Sequence, residues 1–259
     1  MYFLIKMLNL SNGVAKVLRS DGGSGSAFLV SGNILVTAAH VVDQCDVINV
    51  KIEEEVCEAT VLQSEPTLDL ALLRVTDLPR TTHPLLIGTS SELTIGEDVL
   101  VAGFPLGSSV LTLHHGFLSA KGVASDFPAG TLTGLESNCP LLQIDATINE
   151  GFSGGPLLQA SSNRVCGFIT SKYGLLREFG DLRSELQGLI DHPITKQFAS
   201  SGGGVIISGV DFGRFTAFII QSLGVVSRTM QFLHVGIGYS VAIEVANSFI
   251  PQNRETTPH

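Results

Sequence analysis

The residues best able to do chemistry lie in Gly151-Phe152-Ser153-Gly154-Gly155-Pro156, where glycines, a serine and a proline stand in fixed order. A serine on a tight turn can attack a carbonyl carbon. Glycines beside it let the backbone fold so that two N–H groups converge on one point and hold the oxyanion that forms. Serine is a weak nucleophile without a base, so this run predicts a histidine and an acid elsewhere in the chain. The histidine is His40, in Ile34-Leu35-Val36-Thr37-Ala38-Ala39-His40-Val41-Val42. The acid is Asp69, in Leu68-Asp69-Leu70-Ala71-Leu72-Leu73-Arg74-Val75.

Each residue alone has a plainer reading. Ser153 could mark a structural turn, Asp69 a capped or paired core acid, and His40 a satisfied, half-buried histidine. All three together, in the order His, Asp, Ser, read as a nucleophilic constellation. That order is the one found in the chymotrypsin group, and it differs from the orders of subtilisins and α/β-hydrolases.

The elements that must position these residues are mostly short strands. Val14–Leu18, Ser26–Val30, Asn33–Thr37, Val47–Ile52, Ala59–Gln63, Ala71–Val75, Asp98–Ala102, Leu111–Leu113 and Gly116–Ala120 are β-branched or apolar runs separated by turn residues. Their spacing predicts an all-β barrel or sandwich. His40 follows a strand and enters a short helical turn. Asp69 is read near the start of a strand. A short helix is expected over Val241–Ile250.

The chain resembles trypsin-fold serine peptidases, and more narrowly their HtrA/Deg branch without a PDZ domain. The resemblance rests on Thr37–His40, Asp69–Leu73 and Gly151–Pro156. It extends to Gly23–Val30, Gly96–Gly107, Gln143–Gly151 and Gly236–Ala242. It implies two six-stranded β-barrels of the chymotrypsin/trypsin fold, over residues 1–80 and 85–259 of a single peptidase domain. It implies that His40, Asp69 and Ser153 form a catalytic triad and that the N–H groups of Gly151 and Ser153 form the oxyanion hole. The substrate pocket would have Ile148 at its base, Ile169-Thr170-Ser171 on one wall and Ile237-Gly238-Tyr239 on the other. No charged residue stands among these, so cleavage is expected after Val, Ala, Ile or Leu. Phe152 departs from the branch, which usually carries Asn before the serine. A phenylalanine cannot pair with a new N-terminus, so activation by N-terminal cleavage is not expected. The alternative is a catalytically silent interaction module of the same fold.

The second barrel is interrupted. The branch joins the strand after the serine to its last strand by a short loop, whereas about sixty residues intervene here, from 172 to 235. This insertion is read as partly helical. Leu175–Phe198 suits one or two helices, and Phe212, Phe215, Ile219, Leu223, Val226, Met230 and Leu233 recur at helical steps. It would act as a lid or an oligomer contact, or simply pack on the barrel.

Composition narrows the partners. A net charge of −9 over 259 residues disfavours nucleic acid, which needs clustered Lys and Arg. The resemblance implies polypeptide substrates and no cofactor, and the cysteine spacings suggest no metal site. Cys45, Cys57, Cys139 and Cys166 are read as free thiols. No apolar run approaches the ~18 to 20 residues of a membrane span. Lys6 interrupts the apolar N-terminus and no cleavage site follows, so a cytoplasmic location is expected. Members of the branch often form trimers through N-terminal aromatics, and Tyr2 and Phe3 are compatible with that. His83, His114, His115, His192 and His234 are read as surface or strand residues.

Overall fold

Alternation along the strands builds the molecule. In a strand, successive side chains turn to opposite faces, and here both faces of many strands are apolar. The computed structural model describes residues 10–128, 132, 134–170, 188, 206–207, 210–211, 221–222 and 236–250. The first barrel contains β1 (Val14–Leu18), β2 (Ser24–Ser31), β3 (Ile34–Thr37), β4 (Val47–Ile52), β5 (Glu55–Glu65) and β6 (Leu70–Val75). They close antiparallel in the order β1-β2-β3-β6-β5-β4. The second barrel takes β7 (Asp98–Gly103), β8 (Thr112–Val123), β9 (Pro140–Asp145), β10 (Pro156–Gln159) and β11 (Val165–Thr170). Between β11 and the last barrel strand lie β12 (Ile206–Ile207) and β13 (Val210–Asp211), a two-stranded piece of their own. The barrel then closes with β14 (Gly238–Ala242) in the order β10-β11-β14-β9-β8-β7.

Three apolar clusters follow from this alternation. In the first barrel Ala27, Leu29, Leu35, Ala71, Leu73 and Val75 turn inward to one core. In the second, Val99, Val101, Leu142, Ile144, Leu157 and Ile169 do the same. The intervening residues Phe28, Val36, Leu70 and Leu72 meet Ala102, Leu141, Leu158, Phe168 and Val241 in a third cluster that joins the barrels. A strand buried on both faces must read as continuous apolar sequence, which explains Leu70–Leu73 and Val165–Thr170.

The structure revises several boundaries. The expected helix over Val241–Ile250 is replaced at its start by β14. Val241 pairs with both Phe168 and Leu141, and only Glu244–Asn247 (α1) is helical. Ladder pairing on both sides overrides the helical reading of a short apolar run. The two expected strands at Leu111–Leu113 and Gly116–Ala120 are one strand, β8, with an irregularity opposite β9 between Leu118 and Ala120. Asp69 lies just before β6 in the left-handed region, at φ 50°.

The chain divides into two compact units, Met1–Ser171 with Val235–His259, and Lys172–His234. The described part of the second unit consists mainly of the β12–β13 pair. Apart from Gly188, the one or two helices expected over Leu175–Phe198 lie outside the described residues, as do all the residues of the stripe from Phe212 to Leu233. Among the described residues no helix is long and apolar enough to cross a membrane.

Candidate active site

His40 is held by its backbone before its ring is used. It occupies a single 3-10 turn, Ala39–Val41, at the end of β3. Arg19, beyond the end of β1, donates from its guanidinium to the carbonyls of His40 (3.1 Å) and Val41 (2.8 Å). Asp69 fixes the same turn from the other side. Its carbonyl accepts from Ala39 N–H at 3.0 Å, and its Oδ1 accepts from His40 N–H at 3.1 Å.

The two side chains then meet. His40 Nδ1 lies 2.9 Å from both Oδ1 and Oδ2 of Asp69. The Asp69 side chain is fully buried, while that of His40 is 31% exposed. Thr170, on β11 of the second barrel, donates its hydroxyl to Asp69 Oδ2 at 2.6 Å. Asp69 therefore receives hydrogen bonds from both barrels, as a buried carboxylate requires.

Ser153 lies on the turn leading into β10 and is 4% exposed. Two glycines make that turn. Gly151 has φ 96° and Gly154 φ 80°, conformations that favour glycine. Space also demands glycine at Gly154, where a methyl group would lie 2.2 Å from the Ser26 carbonyl oxygen and 2.7 Å from Ala38 N. The serine turn thus packs directly on Ala38, two residues before His40 and just past the end of β3. The Gly154 N–H donates to the Ile169 carbonyl at 2.8 Å, and the Ser153 carbonyl accepts from Ser26 N–H at 2.8 Å.

Phe152 finds its place in the interior of the second barrel. It is fully buried with Val101, Ile148 and Leu157, and its ring centroid lies 4.7 Å from that of His114. His114 is anchored in turn by Nδ1, 2.7 Å from the Thr147 carbonyl.

The residues assigned to the pocket are not all brought together. Ile148 and Ile169 are both in the interior of the second barrel. Ile148 abuts β14, for a methyl group at Gly238 would lie 2.3 Å from its Cγ1. Thr170 and Tyr239 pair across the strands and share a face. Thr170 is committed to Asp69, and the Tyr239 ring packs edge-on against Phe127 at 5.3 Å. Ile237 is 37% exposed. Period-two alternation along β11 turns Ile169 into the barrel interior and Thr170 to the opposite face. Ser171 lies outside the described residues.

The motifs, barrels and geometry agree with one family. The trypsin-like peptidase domain matches residues 25–168. The chain belongs to that family. It is 37% identical over 155 residues to Serine protease HTR4 of Rattus norvegicus, a match covering 58% of this chain and 30% of that protein. It is 37% identical over 145 residues to a probable periplasmic DegP-like serine endoprotease of Pseudomonas fulva, covering 54% and 28%. The chain thus spans under a third of the length of these curated relatives. The solved HtrA-type protease AlgW, with a tripeptide, superposes with a TM-score of 0.53 at 29% identity, over 63% of this chain and 53% of that one. This trypsin-like peptidase domain has three supports that the motifs alone did not reveal: Ser26, His114 and the hydroxyl of Thr170. Ser26 was legible only as part of a strand, His114 only as a strand histidine, and Thr170 only as a pocket wall.

Proposed function

We propose that this chain is a serine endopeptidase that hydrolyses polypeptides with His40, Asp69 and Ser153, after small or medium aliphatic residues. The observation that carries this reading is the His40–Asp69 pair, with Nδ1 at 2.9 Å from a buried carboxylate. A histidine so held presents its other nitrogen, Nε2, as the base. Ser153 Oγ would attack the scissile carbonyl as Nε2 takes its proton, and the imidazolium would then pass that proton to the leaving amine. Asp69 keeps the ring in the required tautomer and stabilises its charge.

The turn around Ser153 supports Gly151 and Ser153 as oxyanion donors. The Glu150 carbonyl accepts from Leu106 N–H at 2.7 Å. In a trans peptide the N–H points opposite the carbonyl, so Gly151 N–H is turned away from Leu106. The Phe152 carbonyl is likewise engaged, by Gly155 N–H at 2.8 Å. With their carbonyls occupied elsewhere, these peptides can offer N–H groups to a developing negative charge.

The aliphatic preference is supported by the uncharged set Ile148, Ile169, Thr170, Ile237 and Tyr239. Digestion of unfolded casein and of a peptide library tests both parts. The reading expects cleavage that disappears in Ser153→Ala and that follows Val, Ala, Ile or Leu. Equal digestion by Ser153→Ala would contradict the mechanism, and dominant cleavage after Lys, Arg or Glu would contradict the pocket.

A further inference from the structure

Ser26 is fully buried in β2 of the first barrel, and each of its polar atoms is used. Its N–H donates to the Ser153 carbonyl at 2.8 Å. Its Oγ donates to the Gly151 carbonyl at 2.7 Å and accepts from Phe104 N–H at 3.0 Å. Its own carbonyl accepts from Thr37 Oγ1 at 2.7 Å. One residue of the first barrel thereby holds two peptides of the serine turn and the end of β7.

We propose that Ser26 is a positioning residue whose hydroxyl fixes the Gly151–Phe152 peptide, and so keeps the oxyanion donors aimed. The inference rests on the peptidase reading above. Gly151, at φ 96°, has no side chain to restrict its rotation. Its peptide is instead held from both sides: Phe152 N–H donates to the Asn149 carbonyl at 3.2 Å within the turn, and the Ser26 hydroxyl holds the carbonyl from the first barrel in a dry site. Phe104 N–H keeps the hydroxyl oriented, because an oxygen that accepts from Phe104 directs its proton elsewhere. Removing the hydroxyl leaves the Gly151 carbonyl and Phe104 N–H without this partner. The peptide can then turn to recover a hydrogen bond, at the expense of oxyanion geometry. An oxyanion exists in the transition state and not in the bound substrate, so the loss should fall on kcat and spare KM.

The test compares wild type, Ser26→Ala and Ser26→Cys for cleavage of an aliphatic peptide, each normalised to sites titrated with a fluorophosphonate. The cysteine variant fills the site with a slightly larger group that is only a weak donor, and it serves if the alanine variant does not fold. A peptide boronate, which forms an anionic adduct, is the second readout. The proposal expects kcat per titrated site to fall about 10- to 100-fold, with KM within about threefold and boronate affinity falling in parallel. It is overturned if kcat per titrated site is unchanged, or if KM alone rises. It is also overturned if kcat falls while boronate affinity holds. Failure of folded wild type to react with the fluorophosphonate would refute the underlying peptidase reading, a result distinct from any difference between variants.

Discussion

Thr170 Oγ1 lies 2.6 Å from Asp69 Oδ2, and this hydrogen bond crosses from the second barrel to the first. The two residues are 101 positions apart in sequence. Asp69 also receives His40 N–H and faces His40 Nδ1. The carboxylate that faces His40 Nδ1 is thus itself held by the barrel that carries Ser153.

Replacing Thr170 by valine keeps the shape and removes the donor. Asp69 would lose one of its buried partners, with an expected loss of about 1 to 3 kcal/mol in stability. The carboxylate would also be freer to rotate, so kcat should fall roughly tenfold while KM stays near wild type. Urea unfolding and active-site-titrated kinetics check the two effects. Wild-type kcat in Thr170→Val would show that the cross-barrel bond does not orient Asp69.

Phe152 is expected to anchor the serine turn through packing. Phe152→Ala should cost about 3 to 5 kcal/mol, as for other large core truncations, and activity per folded molecule should fall with it. Phe152→Leu should lose less of both, and His114→Ala should reproduce part of the loss by removing the ring packed at 4.7 Å. Thermal melts and titrated kinetics on the three variants give the ranking. Full activity in Phe152→Ala would show that the turn keeps its shape without the anchor.

The Cys166 thiol provides a pH test of the second core. Burial pushes it from an ordinary value near 9.0 up to about 11. A raised value means that the folded state holds this proton more tightly than the unfolded chain. The associated stability is complete below about 9.0 and is lost as pH rises from there through about 11. Wild-type stability should therefore fall more steeply with alkaline pH than that of Cys166→Ala, measured as urea midpoints over this range. Burial also raises Cys57 and Tyr239, but both are present in each protein, so the difference in slope belongs to Cys166. Parallel slopes would contradict a buried, protonated thiol.

The sequence made the local part of this site legible. The glycines around Ser153 announce a turn because positive φ and close backbone approach both require them, as Gly154 against Ser26 and Ala38 shows. The strands around His40 were legible from alternation and from β-branched runs. The long-range part was not legible. Ser26 reaches Gly151 across 125 positions, and nothing in the type of a strand serine signals that partner. The orientation of the residues proposed for the pocket was not legible for a related reason. Resemblance places a backbone segment, but the register of β11 with β14 decides which face each side chain takes, sending Ile169 inward and Thr170 to Asp69. The Val241–Ile250 helix failed because Val241 and Ala242 have ladder partners on β11, which no local propensity encodes.

The most direct measurement of the central claim is covalent labelling by a fluorophosphonate, followed by mass spectrometry of the modified peptide. The account predicts one adduct, on Ser153, in the folded protein. It predicts no adduct in Ser153→Ala, and labelling slowed by orders of magnitude in His40→Ala and Asp69→Asn. An unlabelled wild type with intact structure, or an adduct that persists in Ser153→Ala, would contradict it.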